Sequence, residues 1–515
     1  MLTAIFVLVN IVFLLVLLYY KFSIVKNYWA KKSVPYVKPF PLVGNMGSNL
    51  LKRKNIVELL DELYYSHPNA RYIGIHQFHQ PTLMVRDPEL IKSITVKDFA
   101  SFCDHSAFNR GIGEAYEGLF FVTVDRGWHA LRTILTPAFT NNKLKYMFNL
   151  VDDCAQHFID HFQKVGSAPS EMKDAFSRYT NDAILTTAFG VTCKSFEDKN
   201  NLIFTVGKQM ADLSGVKGLK AFSYNISPFL TKLFNIQIIT QKTGAVFANL
   251  VRETLEMRKK DNYTRPDMID LMLKTNEKLK TAEPEVVEEK QQRRGNLTDK
   301  DITAAAISFY FAGFDTTSTV LTFIAYELAV HTDVQQKLRD EIDSATKRSN
   351  GKLNYEDVMN LEYLEMVIFE TLRLWAPALF IERLCVKPFT IEPKTPDEKP
   401  VTIEKDTSIW IPVASLHKDP KYFEDPKMFI PERFSAENKG KIEQYVYMPF
   451  GSGPRTCIGN RYALFVCKLM ITKLIQNFEI VPCHKTEIPI VVSKSIFIIP
   501  DDGIWLTLRS RSKRD

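Results

Sequence analysis

A single glycine-rich cysteine loop limits what this chain can become more than any other stretch. The run Phe450-Gly451-Ser452-Gly453-Pro454-Arg455-Thr456-Cys457-Ile458-Gly459 places one thiol among glycines. An apolar segment, Arg461 to Ile480, follows it and is patterned as a helix. A thiolate at a helix N-terminus is stabilised by the positive end of the helix dipole and by free backbone N–H groups. That environment suits a cysteine held as an anion on a soft metal. Gly451 and Gly453 open backbone angles that other residues resist, and Gly459 leaves room for a flat ligand. Arg455, two residues from the thiol, supplies a cation for a carboxylate. A lone cysteine is more often a buried structural thiol; the full spacing Phe-x-x-Gly-x-Arg-x-Cys-x-Gly is what argues for a ligand.

That spacing resembles the haem-binding loop of cytochrome P450s at every defining position. The resemblance implies haem b with Cys457 as its axial thiolate, Arg455 on a propionate, Phe450 beside the sulfur and Gly459 against the ring. A thiolate ligand pushes electron density onto iron and favours O–O cleavage. It also implies a mainly α fold with small β-sheets over about residues 35 to 510. The haem would lie between a long central helix and the helix after the cysteine loop.

Other motifs agree in order and separation. Trp128 and Arg132 stand at i, i+4 on one helix face, where P450s have a Trp-x-x-x-Arg that bonds haem propionates. Thr298 and Asp301 open a helix running to about Val330, long for a globular protein. Inside it, Ala312-Gly313-Phe314-Asp315-Thr316-Thr317 resembles the P450 oxygen-binding groove. By that match Asp315 and Thr316 are the acid–alcohol pair that passes protons during dioxygen cleavage beside Gly313. A mid-helix glycine costs about 1 kcal/mol and threonine competes for carbonyls, so the helix is expected to open locally there. Glu370 and Arg373, at i, i+3 among apolar neighbours, need a third partner, and Pro431-Glu432-Arg433-Phe434 resembles the segment that supplies Arg433 to a structural network. Ala376 replaces a proline common after this helix. Arg383 aligns with a further propionate contact. Phe108, Phe120, Ala312, Leu379 and Phe497 are candidates for the substrate pocket, with Phe102 and Phe121 as further loop aromatics.

Residues 2 to 20 carry no charge, about the length of a bilayer-spanning helix. Lys21, Lys26, Lys31 and Lys32 follow, which keeps that side cytoplasmic. The expected organisation is an anchor at 1–20, a basic, proline-rich hinge at 21–45 and a catalytic domain at 46–515 in the cytosol, at the endoplasmic reticulum membrane. The net charge of +7 suits a membrane surface or an acidic partner; no basic run points to nucleic acid. The seven cysteines show no paired spacing and fit a reducing compartment. His76 and His79 read as a solvated turn, His157 and His161 as a solvated helix face. Residues 207 to 240 read as helical with a break near Ser227-Pro228, and the charged run from Lys274 to Gly295 as an exposed connection.

No nicotinamide site is present: Gly111-Ile-Gly113 is followed by glycine only at Gly118, which fails GxGxxG. Electrons must then come from a partner, by resemblance NADPH–cytochrome P450 reductase, with cytochrome b5 as an optional second donor. Arg126, Lys468 and Lys473 are candidates for its docking face. The C-terminal third resembles the clade of families three, six and nine, most closely the insect family nine. The activity implied is insertion of one oxygen atom of O2 into a lipophilic small molecule. Detoxification of plant compounds or insecticides is the leading expectation, hydroxylation of a steroid or terpenoid hormone the alternative. A peroxide isomerase or a non-catalytic haem carrier fits less well, because neither needs the Asp315–Thr316 pair.

Overall fold

The computed structural model describes residues 25–105, 118–198, 201–212, 220, 223, 228–237, 240–261, 264–265, 267–281, 297–494, 498 and 500–511. In chain order the elements that matter here are helix α1 (Ile56–Tyr65), strands β1 (Tyr72–Gln77) and β2 (Gln80–Val85), and helices α2 (Trp128–Leu135), α3 (Asn141–Val165), α4 (Met172–Ile184), α5 (Leu202–Ala211) and α6 (Gln241–Asp261). Then come α7 (Asp299–Val330), α8 (Thr332–Arg348), α9 (Glu362–Leu374), β3 (Ile381–Leu384), β4 (Ser408–Ile411), α10 (Asn460–Asn477), β5 (Phe478–Pro482) and β6 (Trp505–Ser510). The architecture is mainly α with small sheets, as expected.

Helix α7 is the axis of the core. Its start is fixed by a capping box: the Thr298 side chain accepts from the Asp301 amide while the Asp301 carboxylate accepts from Thr298 N. It is apolar on most of its faces, so most of it must be buried, and α4, α6, α9 and α10 pack against it. It runs unbroken through Gly313. The expected opening does not occur; instead the Thr316 hydroxyl bonds back to Ala312 O.

The larger sheet has the order β1-β2-β4-β3. β1 and β2 form an antiparallel hairpin with Tyr72 opposite Val85, and β2 runs parallel to β4 with Leu83 beside Ile409. β3 is antiparallel to β4 and sets Arg383 opposite Ile409. Several sequence expectations shift at this level. The apolar run after the cysteine loop is a helix only to Asn477; Phe478–Pro482 is a strand paired with β6. His76 is fully buried on β1 near Trp29, and burial pulls its pKa down to about 4; only His79 is exposed in the turn. His157 and His161 are half-buried rather than solvated, and among the described residues no His, Cys, Asp and Glu cluster could hold a metal ion. Lys274 belongs to a helix, Met268–Thr281, and residues 282–296 lie outside the described residues. Within 207–240, Leu202–Ala211 and Pro228–Leu233 are helical.

Residues 1–20, read as an anchor, lie outside the described residues; among the described ones no helix is long and apolar enough to cross a membrane. The described part of the 21–45 segment is docked on the body. Trp29 is fully buried, donates to Ile75 O at 2.9 Å, and lies where a side chain on Gly74 would stand.

Candidate active site around Cys457

The cysteine loop closes on one carbonyl. Phe450 O accepts from Cys457 N at 2.8 Å and from the Thr456 hydroxyl at 3.1 Å. Gly451 and Gly453 make the turn at φ +77° and +73°, in the left-handed region. A side chain on Gly453 would also meet Thr95 O at 1.8 Å. Gly459 differs: a Cβ there would meet only Phe139 Cε1, at an ordinary 3.7 Å. The protein itself leaves space beside it.

Of the seven cysteines, Cys457 alone is exposed. Yet protein surrounds it closely enough for burial to push its thiol above 9.0, opposed by the Gly459 amide and Arg132. The two observations agree when the open surface faces an interior hollow. Helix α7 repeats the pattern. Ala312 and Thr316 are exposed in the middle of an otherwise buried helix, one turn apart on one face. Gly313 next to them is backed by Ile184 of α4, whose Cδ1 lies 3.1 Å from where a Cβ would be.

A cationic corner adjoins the loop. Arg455 Nε donates to Cys103 O at 2.8 Å, and its Nη2 donates to Asp104 Oδ1 and Val122 O, both at 3.0 Å. Its guanidinium lies 4.1 Å from the Trp128 ring, a favourable cation–π placement. Arg383 donates to Glu382 O and Ser452 O, while its Nε is buried with no hydrogen-bond partner among the described residues. Burial brings Arg383 down to about 10, with Arg455 adding to the effect and Glu382 opposing it. Burial likewise lowers Arg455 to about 10, against Asp104. Burial also lowers Arg132, which the nearby Cys457 opposes. His105 stacks on Phe120, ring centroids 4.8 Å apart, and is held neutral by burial and by both Arg383 and Arg455.

Behind the loop, Arg373 Nε and Nη2 reach the two oxygens of Glu370 at 2.7 Å each, and both residues are wholly buried. Arg433 Nε adds a longer bond to Glu370 at 3.4 Å. Arg433 is thus a third member of this cluster. Arg373 also donates to His417 O, Pro426 O and Met428 O. His417 Nε2 in turn accepts from Met448 N, two residues before Phe450. Sequence reading missed His417, Asp104 and His105; Asp104 and His105 act through partners 351 and 277 positions away, His417 through partners 44 and 31 away, and no local pattern marks them.

Other expectations change. Phe102 is fully buried against Phe389, and Phe121 is 5 % exposed, so both anchor the loop to the core. Phe120 stays half-exposed. Leu379 is buried and its carbonyl holds the Ala414 amide. Phe108 and Phe497 lie outside the described residues. Lys468 is not on a docking face: it is fully buried and donates to Met359 O, Leu361 O and Glu365. Lys473 is paired with Asp152 at 3.0 Å, and Arg126 is exposed.

These features fit a haem. Among the described residues three guanidiniums, Arg132, Arg383 and Arg455, draw together here with the carboxylates Asp104 and Glu382, and Asp125 acts on Asp104 from nearby. Burial lowers all three cations, and one buried Arg383 N–H has no hydrogen-bond partner among the described residues. Such a corner calls for an anion. The open thiol and the clear space at Gly459 call for a flat ligand with a soft metal; coordination deprotonates a thiol outright.

Comparison with known proteins gives the same answer. The family model Cytochrome P450 matches residues 34–508. The chain is 38 % identical to cytochrome P450 9e2 of Blattella germanica, over 95 % of each chain. It is 34 % identical to probable cytochrome P450 9f2 of Drosophila melanogaster, over 96 % of this chain and 97 % of the relative. It is also 34 % identical to cytochrome P450 6j1 of Blattella germanica, over 94 % and 93 %. Membership implies haem b on a cysteine thiolate and an oxidoreductase of the monooxygenase type, and the relatives bear out the insect family-nine resemblance. This chain belongs to the cytochrome P450 family.

Proposed function

We propose that Cys457 would hold the iron of a haem bound between α7 and α10. Trp128, Arg132, Arg383 and Arg455 hold its propionates, Phe450 shields the sulfur and Gly459 lets the ring approach. The observation that carries this reading is the buried arginine corner, with its orphaned Arg383 N–H, beside an exposed thiol. Once bound, the haem supplies activation of O2 and insertion of one oxygen atom into the substrate.

The chain's own residues hold, exclude and pass protons. Thr316 presents its hydroxyl beside Ala312, and Asp315 is the adjoining acid that exchanges protons with solvent. Glu370, Arg373 and Arg433 fix the scaffold behind the loop and touch no reactant. Phe120 and Ala312 line the substrate side, with Leu379, Phe108 and Phe497 as further candidates. Electrons come from NADPH through NADPH–cytochrome P450 reductase, with cytochrome b5 as a second donor. Residues 1–20 anchor the chain in the endoplasmic reticulum membrane, 21–45 form the hinge and 46–515 the catalytic domain on the cytosolic side. The substrate is a lipophilic xenobiotic, a plant toxin or an insecticide. Kinship with insect families nine and six and a chain with 36 phenylalanines support that class.

The test is NADPH-dependent product formation in microsomes containing a reductase. The panel mixes unrelated lipophilic xenobiotics with ecdysteroids and juvenile-hormone-like terpenoids. Slow turnover of many unrelated compounds is expected; fast turnover of one hormone alone would move the enzyme to hormone metabolism. Thr316→Ala is expected to consume NADPH without matching product, and full coupling in that variant would refute the proton-passing role.

A further inference from the structure

Helix α4 turns a polar stripe, Lys173, Ser177 and Thr180, toward the part of α7 that carries Asp315 and Thr316. The spacing puts all three on one face. Thr180 donates to Phe314 O at 2.8 Å, and the Ser177 and Ser318 hydroxyls are 3.4 Å apart. Lys173 makes the densest contact. Its Nζ lies 2.8 Å from Asp315 Oδ1, 3.0 Å from Asp315 O, 2.8 Å from Ser318 Oγ and 2.7 Å from Thr319 Oγ1. An ammonium has three protons, so these four acceptors share them.

The turn that carries Lys173 is itself fixed. Glu171 accepts from Lys173 N at 3.0 Å and from Asp174 N at 2.6 Å, and Ile504 N, just before β6, donates to Glu171 at 3.3 Å. The neighbouring cations are committed elsewhere: Arg178 and Lys208 both bind Asp174, each at 2.8 Å. Among the described residues Lys173 is the cation paired with Asp315. The pair is open to water, with side chains 31 % and 43 % exposed. Pairs of this kind add little stability. This one is weak enough to open and lies one residue from Thr316.

We propose that Lys173 is a positioning residue for proton delivery, a latch that holds the Asp315 carboxylate on the solvent side of α7 and releases it to pass a proton toward Thr316. This rests on the reading of Asp315 and Thr316 as the acid–alcohol pair. At each opening the carboxylate takes one proton from water and gives one up on the Thr316 side, and two such openings supply the two protons that each oxygen insertion consumes. The regenerated carboxylate closes again on Lys173, whose own protons do not change.

Two measurements on the full-length, haem-loaded protein test the latch. The first is product formed per NADPH, with the most rapidly turned over compound of the panel above as probe. Lys173→Met is expected to lower that ratio about threefold or more, Lys173→Arg to restore it within about twofold, and Lys173→Met to add nothing in an Asp315→Asn background. The second needs no turnover: the rate at which an amine-acetylating reagent labels Lys173, read by mass spectrometry. It is expected to rise several-fold in Asp315→Asn. Unchanged coupling in Lys173→Met, losses that add in the double variant, or equal labelling of Lys173 in both proteins each overturns the latch. Full coupling in Asp315→Asn overturns the acid assignment itself, a different result from an uncoupled Asp315→Asn with an unaffected Lys173→Met.

Discussion

Replacing Glu370 with alanine should be among the most damaging single changes outside the cysteine loop. Its carboxylate accepts from Arg373 Nε and Nη2, from Ile430 N at 2.9 Å and from Arg433 Nε. Removing it leaves Arg373 fully buried with only the carbonyls of His417, Pro426 and Met428. Carbonyls satisfy its N–H groups but do not neutralise its charge. Breaking a buried pair by deleting one partner costs about 3–5 kcal/mol. For a cooperative unit of about 470 residues (46–515), an unfolding entropy of about 2.1 cal/mol/K per residue sums to about 1.0 kcal/mol/K, so the loss corresponds to a Tm drop of about 3–5 °C. Lys337→Ala is the internal control, because the Lys337–Glu432 pair is exposed, at 56 % and 42 %; it should cost less than about 1 °C. The assay is thermal unfolding of both variants side by side. Glu370→Ala with Arg373→Ala should fall short of the sum of the single losses, since no lone buried charge remains. A Glu370→Ala drop no larger than that of Lys337→Ala would refute the reasoning.

The two loop glycines should separate folding from cofactor retention. Gly453→Ala meets Thr95 O and a left-handed backbone, so it should lower the yield of folded protein by western blot and by Tm. Gly459→Ala meets nothing closer than Phe139 at 3.7 Å, so the protein should fold with unchanged circular dichroism yet retain haem poorly. His331 pairs with Glu327 Oε2 at 3.1 Å, and that hydrogen bond raises its pKa above 6.5. A raised folded pKa stabilises fully below the unfolded value, and the benefit is lost as pH rises through the folded value. The Tm gap between wild type and His331→Gln should be widest below pH 6.5 and vanish on the alkaline side; a gap that grows with pH would contradict this sign.

Local chemistry was readable in advance and tertiary placement was not. The cysteine loop, the Thr298–Asp301 box and the Glu370–Arg373 pair each lie within ten residues of sequence, so spacing alone carries them. Lys173 and Asp315 are 142 positions apart, and nothing in either neighbourhood points to the other. Lys468 looked like a surface cation because lysines usually are; three acceptors converge to keep it buried. His76 reads from the sequence as part of a solvated turn, but it lies on a strand buried along its whole length, with Trp29 edge-on to its ring. The apolar run after Cys457 carried both a helix and a strand, and a continuous apolar run does not mark the change at Phe478.

The central claim is that the exposed thiol of Cys457 binds haem iron as a thiolate. The most direct measurement is the difference spectrum of the reduced protein with carbon monoxide, taken on wild type, Cys457→Ser and the buried-cysteine control Cys467→Ser. A thiolate-type band is predicted for wild type and Cys467→Ser and should be absent from Cys457→Ser. The same band persisting in Cys457→Ser would contradict the assignment on which the site is built.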